Sequence, residues 1–130
     1  MSALVLIAGV DVKRLERVRR LVENEGAATI TASDPREAMR LLVRREPELT
    51  LLQVDAANVL GMELCRDMKT LGLGRRRSVV VIAPGGARSA ALEAGCDAFI
   101  GRSTNNRMLL RIIRRFLDSH RHPQRAAATA

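Results

Sequence analysis

The fold of this chain is decided by one stretch, residues 47–61, which reads PELTLLQVDAANVLG. Its first half is a short and mainly apolar run from Leu49 to Leu52, which the polar Gln53 ends. An apolar run of this length between turn signals is typical of a buried central strand. In open α/β sheets, ligands bind just beyond the carboxyl ends of such strands. The sequence therefore predicts that Gln53 lies at the centre of any functional site.

Strand and helix patterns alternate along the rest of the chain. Short connections between five such pairs predict an α/β fold, in which helices cover both faces of a parallel sheet. Right-handed crossovers leave few topologies, and the flavodoxin-like three-layer sandwich with strand order 2-1-3-4-5 fits best. We expect one domain over residues 1–118 and a disordered tail over residues 119–130. The expected strands are residues 3–8, 28–32, 49–52, 78–83 and 98–101, and the last helix is expected to follow Thr104.

Side chains that can cap a helix precede several of the predicted helices. Asp11 can cap the first helix, which we expect to end near Asn24. Asp34 is followed by a proline at the first helical position and by an acidic residue three positions on, which is the pattern of a capping box. Thr104 is the predicted cap of the last helix.

Residues 47–61 also resemble the third strand and following loop of response-regulator receiver domains, the CheY-like family. The usual form of that segment is P-D-L-(apolar)-L-L-D-x-x-x-P-x-x-x-G, and the spacing from Pro47 through Gln53 to Gly61 matches it. In the family, the aspartate that ends this strand accepts a phosphoryl group from a histidine kinase. This chain has Gln53 at that position, and the family fold is the one that the pattern predicts.

The resemblance covers about residues 3–117 and implies where the family's other functional positions fall. The acidic pair that binds magnesium falls on Gly9 and Val10. The hydroxyl position that ends the fourth strand falls on Ala83, and the lysine that ends the fifth strand falls on Arg102. The resemblance therefore implies a degenerate receiver, or pseudo-receiver, whose signalling does not depend on phosphorylation.

The chemistry of these side chains leads to the same expectation. Magnesium prefers carboxylate and water oxygens, and phosphoryl transfer needs cations around the phosphoryl group. Glycine, valine and glutamine supply no carboxylate, so we expect no metal, no cofactor and no enzyme activity. Asp55 is the nearest carboxylate, although we do not expect it to replace the missing acceptor. Gln53 is expected to hydrogen-bond to Arg102 or to loop backbone.

The predicted partner surface is the fourth helix, the fifth strand and the last helix. Phe99 lies at the position of the aromatic residue that turns inward when receivers are activated, although a phenylalanine in a buried strand is also ordinary core. We expect an acidic signalling or scaffold protein as the partner, since arginine pairs well with carboxylates, and a homodimer through the same face is possible. The candidate partner-binding residues are Arg88, Arg107, Arg111, Arg114 and Arg115.

The composition leaves two alternatives open. The net charge of +8 suits nucleic acid, which the basic residues 75–77 and the last helix would contact through phosphates. The chain has no Trp, no Tyr and only two Phe, so base stacking is not expected. The other alternative is a small-ligand sensor that uses the emptied pocket, for which no ligand-specific motif is present.

The remaining features predict a cytoplasmic protein. No apolar run approaches the eighteen or so residues that cross a membrane, and no signal-peptide pattern follows Met1. Cys65 and Cys96 lie among apolar neighbours without a nearby histidine, so we expect two free thiols in place of a metal site or a disulfide.

Overall fold

The computed structural model describes residues 3–55, 59–70 and 78–121. Strands and helices alternate along these residues, as the sequence predicts. The strands are β1 (Leu4–Ala8), β2 (Ala28–Ala32), β3 (Leu49–Gln53), β4 (Ser78–Ala83) and β5 (Ala98–Gly101). The helices are α1 (Val12–Asn24), α2 (Pro35–Arg45), α3 (Val59–Thr70), α4 (Arg88–Glu93) and α5 (Asn106–Arg121), and a short 3₁₀ helix at Gly85–Ala87 precedes α4.

The five strands form one parallel sheet in the order β2-β1-β3-β4-β5. This order confirms the predicted flavodoxin-like fold. The segment that begins at Pro47 provides the central strand, because Leu51 pairs with Ile7 on β1 and with Val80 on β4. Leu49–Leu52 is buried throughout, as expected for a strand with helices on both sides.

Side chains that alternate along each strand divide the core into two layers. Leu6 and Leu52 belong to the layer beneath α2, α3 and α4, whereas Ile7 and Leu51 belong to the layer beneath α1 and α5. The period of two residues in a β-strand produces this division. The two layers hold the five helices in position around the ends of the strands.

The helix starts confirm two of the predicted caps and correct the third. The side chain of Asp11 accepts a hydrogen bond from the backbone of Arg14, and Asp34 caps α2 in the same way. The prediction for Thr104 is wrong: α5 starts at Asn106, and Asn105 Oδ1 accepts from the Met108 backbone N–H at 2.9 Å. The reason is a turn at the end of β5, where the Thr104 N–H donates to the Gly101 carbonyl.

Two helix lengths affect the surfaces next to the site. α4 has six residues, in line with the short connection between β4 and the turn at Gly95. α5 continues to Arg121, three residues beyond the expected domain end at residue 118. The predicted disordered tail otherwise lies outside the described residues, so the domain boundary stays a prediction.

Candidate functional site

The residues that the resemblance singles out lie together at the carboxyl-terminal edge of the sheet. Gly9 follows β1, Gln53 ends β3, Ala83 ends β4 and Arg102 follows β5. Backbone hydrogen bonds align these ends; for example, the Arg102 N–H donates to the Ala83 carbonyl at 2.9 Å. The parallel sheet therefore gathers positions that are far apart in sequence, as the strand pattern predicts.

Gly9 packs against Gln53 so closely that there is no space for a side chain. A Cβ atom on Gly9 would lie 2.9 Å from Gln53 Cβ and 3.2 Å from the Gln53 carbonyl oxygen. Real Cβ atoms essentially never approach a heavy atom within 3.0 Å, so β1 or β3 would have to move. The neighbouring Val10 is 56% exposed. Neither residue brings a polar group to the edge of the sheet.

The Gln53 side chain contacts the backbone of α1. Its Nε2 donates to the Arg14 carbonyl at 3.2 Å, and its Oε1 is buried without a hydrogen-bond partner in the described ranges. The predicted bond from Gln53 to Arg102 is wrong, since Gln53 binds Arg14 within α1 and Arg102 pairs with Asp55; the loop of residues 56–58 lies outside the described residues. Arg102 turns away from Gln53 because a carboxylate is a stronger partner for a guanidinium than a neutral amide.

Gln53→Leu should change the free energy of unfolding by less than about 1 kcal/mol. The variant loses one neutral hydrogen bond, but it also removes the buried Oε1 that has no described partner. Gln53→Ala is the control, because it removes the same groups without filling the space and should be less stable than the leucine variant. Urea unfolding measures both. A loss above about 2 kcal/mol for Gln53→Leu would mean that the amide is essential to the packing.

Charged side chains form a chain of contacts across the same edge. Asp55 Oδ1 accepts from Arg102 Nη2 at 2.9 Å and from Arg14 Nη1 at 3.5 Å, and Arg14 Nε lies 3.5 Å from Asp11 Oδ2. This charge cluster, defined as Asp11, Arg14, Asp55 and Arg102, connects the start of α1 with the ends of β3 and β5. All four side chains remain partly exposed, between 32% and 46%.

The sequence analysis missed the role of Asp55 in this cluster. Its partners Arg14 and Arg102 are 41 and 47 positions away in the sequence, so no local pattern connects them. The signal that could have revealed them is the predicted fold itself. Charged residues that follow β1, β3 and β5 must meet at one edge of a parallel sheet with this strand order.

A cleft opens between α1, the end of β3 and the turn that leads into α5. Apolar side chains line it, including Val18, Ile82 and Leu109, and the charge cluster lies at its mouth. Arg17 lies at the other side, where its Nη2 donates to the Thr104 carbonyl at 3.3 Å. The free volume is about 30 Å³, which is room for about two water molecules.

The five candidate partner-binding arginines do not share one environment. Arg107, Arg111 and Arg115 are exposed on α5 and have no ion pair within the described part of the chain. Arg114 instead donates to Glu25 Oε1 at 2.7 Å, and this hydrogen bond raises the pKa of its guanidinium. Arg114 therefore faces α1 and is the least available of the five.

Phe99 is half-buried and packs against the core layer beneath α4. The guanidinium carbon of Arg88 lies 5.9 Å from the centre of its ring, a distance at which a cation and an aromatic face attract one another. Arg88 is therefore held against β5, although it remains exposed. The two side chains form a small amphipathic surface on α4 and β5.

The cysteines are structural in character. Cys65 is buried, and its Sγ lies 3.7 Å from the Ala94 carbonyl oxygen. Burial raises the pKa of the Cys65 thiol to about 11, and burial also raises that of Cys96. Both thiols are therefore protonated at neutral pH, which disfavours nucleophilic or metal-binding roles. Across residues 3–55, 59–70 and 78–121, no group of three or more His, Cys, Asp or Glu side chains could hold a metal ion.

Two of the sequence predictions concern a basic segment and membrane-spanning helices. The basic residues 75–77, predicted to contact phosphates, lie outside the described residues. No helix within the described residues is long and apolar enough to span a membrane.

Comparison with known proteins connects the fold to two-component signalling. No protein-family model matches the chain. It is 25% identical over 115 residues to an uncharacterized 14.6 kDa protein in the sodA1 3′ region of Leptolyngbya boryana, covering 86% of this chain and 88% of that protein. It is 29% identical over 107 residues to the response regulator MprA of Mycolicibacterium vanbaalenii, covering 77% of this chain but 44% of the regulator.

The structural comparison gives the same result. The crystal structure of the signal receiver domain of a signal transduction histidine kinase from Syntrophus aciditrophicus matches with a TM-score of 0.81 and 25% identity, covering 91% of this chain and 92% of that one. The structural neighbours are CheY-like response-regulator receiver domains, and the chain has the fold of these signalling modules. Such a fold suggests interaction with other signalling proteins.

Proposed function

We propose that this chain is a pseudo-receiver that signals without phosphorylation and acts by binding a protein partner. The observation that carries the proposal is the close packing of Gly9 against Gln53. In a receiver, these two positions would provide a metal-binding carboxylate and the phosphoacceptor. Here one has no space for a side chain and the other carries an amide, whose nitrogen donates to the backbone of α1.

The available side chains do not fit the magnesium ion of receiver domains. Magnesium needs carboxylate or water oxygens in a near-octahedral set. Asp11 and Asp55 are the carboxylates that line the cleft, and both lie against Arg14. A divalent cation at this edge would be repelled by Arg14 and Arg102 and would have to displace them. These contacts support signalling without a phosphoryl group.

Incubation with magnesium and acetyl phosphate should leave the mass of the protein unchanged, whereas a functional receiver domain treated in parallel should gain a phosphoryl group. Intact-protein mass spectrometry measures both. The Asp55→Asn variant is the matched control, because Asp55 lines this cleft two positions after Gln53 in the sequence. A phosphoryl adduct that forms on the wild type and disappears in Asp55→Asn would contradict the proposal.

The partner is proposed to be an acidic signalling or scaffold protein that contacts α4, β5 and α5. Arg107, Arg111 and Arg115 supply exposed positive charge there, and Arg88 adds a cation above Phe99. Arginine is well suited to pairing with carboxylates in two hydrogen bonds. A homodimer through this face would have to overcome repulsion between like charges, so a different acidic protein is the better fit.

The double variant Arg111→Glu/Arg115→Glu should abolish capture of the native partner from nuclease-treated lysate. The control is Arg40→Glu/Arg44→Glu, which changes the charge by the same amount on the exposed side of α2. The α2 variant should still capture the partner. Binding that disappears with nuclease in the wild type would contradict the protein-partner proposal and favour nucleic acid. Equal loss of partner capture in both double variants would show that binding depends on net charge and not on the α5 surface.

A further inference from the structure

Two guanidinium groups from different parts of the fold converge on a single carboxylate oxygen at the mouth of the cleft. Asp55 Oδ1 accepts from Arg102 Nη2 at 2.9 Å and lies 3.5 Å from Arg14 Nη1. Arg14 belongs to α1 and Arg102 follows β5, so the sheet and α1 hold the two groups in place. The structure thus contains a position where one negatively charged oxygen is bound from two sides.

A third guanidinium makes the mouth of the cleft net positive. Arg17 donates to two neutral acceptors, the Thr104 carbonyl at 3.3 Å and Asn106 Oδ1 at 3.0 Å. Among the cleft-lining residues, three arginines therefore stand against the two carboxylates of the charge cluster, which leaves one net positive charge. A net positive charge at the mouth of a cleft attracts anions.

We propose that this mouth is an oxyanion-binding site, which the Asp55 carboxylate occupies in the free protein. The ligand would be a small molecule that carries a phosphate or carboxylate group, since arginine matches the geometry of both. The free volume of about 30 Å³ is room for about two water molecules, so the head group would bind at the mouth and the rest of the ligand would remain in solvent. The site is non-covalent and uses no acceptor side chain.

Asp55 is then an internal competitor of the ligand. An external oxyanion that binds Arg14 and Arg102 must displace the Asp55 carboxylate from the same two groups. Displacement also breaks the contact between the segment after β3 and the turn after β5. Because Asp55 is 46% exposed, its carboxylate can move into water without being buried elsewhere.

Removing the charge of Asp55 should strengthen phosphate binding, and removing that of Arg102 should weaken it. We expect Asp55→Asn to bind inorganic phosphate at least about tenfold more tightly than the wild type, since the carboxylate that the ligand must displace is lost. Adding Arg102→Gln to Asp55→Asn should remove the gain. The measurement is a titration with potassium phosphate, followed by amide chemical shifts, at an ionic strength held constant with potassium chloride.

A control variant, a second anion and a replacement for Asp55→Asn complete the test. Arg40→Gln on α2 should bind phosphate like the wild type, and acetate in place of phosphate distinguishes a carboxylate ligand from a phosphate ligand. Asp55→Ser repeats the test if Asp55→Asn fails to fold. The inference would be overturned if neither Asp55→Asn nor Asp55→Ser binds phosphate or acetate more tightly than the wild type. It would also be overturned if Arg102→Gln changes nothing, or if chloride gives the same shifts. The titration needs no protein partner, so its outcome is independent of the proposed partner binding.

Discussion

Gly9→Ala is expected to lower the free energy of unfolding by about 1–3 kcal/mol, the usual range for overpacking a well-packed interior. The added Cβ would lie 2.9 Å from Gln53 Cβ and 3.4 Å from Leu15 Cδ2. Both neighbours are constrained, because Gln53 belongs to the central strand and Leu15 to the buried face of α1. The strain cannot be relieved by turning a flexible side chain, so the strands themselves must shift.

Gly9→Asp should lower the free energy of unfolding more than Gly9→Ala does, because a carboxylate would also have to fit beside the crowded Cβ. Gly86→Ala is the control for both: it adds a methyl group where no atom lies within 4 Å, and the φ angle there is not positive. Urea unfolding at neutral pH measures all three variants. Wild-type stability of Gly9→Asp would contradict the steric argument, and it would also remove the main support for the pseudo-receiver proposal.

Ile113→Ala should lower the free energy of unfolding by about 2–5 kcal/mol, as is typical when a fully buried aliphatic side chain is truncated. Ile113 is 0% exposed and belongs to the core layer that α5 shares with α1 and the sheet. The loss should also weaken partner binding, since this contact holds α5 and the exposed Arg111 and Arg115 in place.

Ile112→Ala is the matched control on the same helix. Ile112 is only partly buried against this layer, so its truncation should lower the free energy of unfolding clearly less than that of Ile113 does. Thermal and urea unfolding give the stabilities, and partner capture at a temperature where both variants are folded gives the binding. Equal losses for the two isoleucines would show that α5 does not pack in the orientation described.

The sequence by itself determined the architecture because its signals are local. The apolar run before Gln53 predicted the central strand, and five alternating strand and helix patterns, with right-handed crossovers, predicted the strand order 2-1-3-4-5. Caps at Asp11 and Asp34 were also predicted, since a cap is a contact between a side chain and a backbone N–H two or three residues away. The prediction of a cap at Thr104 was wrong because a turn after β5 uses the same backbone. The helix-capping preference of threonine does not reveal that turn.

Only the tertiary structure decided the contacts within the site. The sequence placed Gln53, Gly9 and Arg102 at one edge, but it could not show that Gln53 binds the backbone of α1 or that Arg102 turns to Asp55. Likewise, only the fold distinguishes Arg114 from the other α5 arginines, by placing Glu25 beside it. The physical reason is the same in each case. A charged or amide side chain binds a suitable group that the fold brings within about 3 Å of it. The separation of two residues along the sequence does not predict that distance.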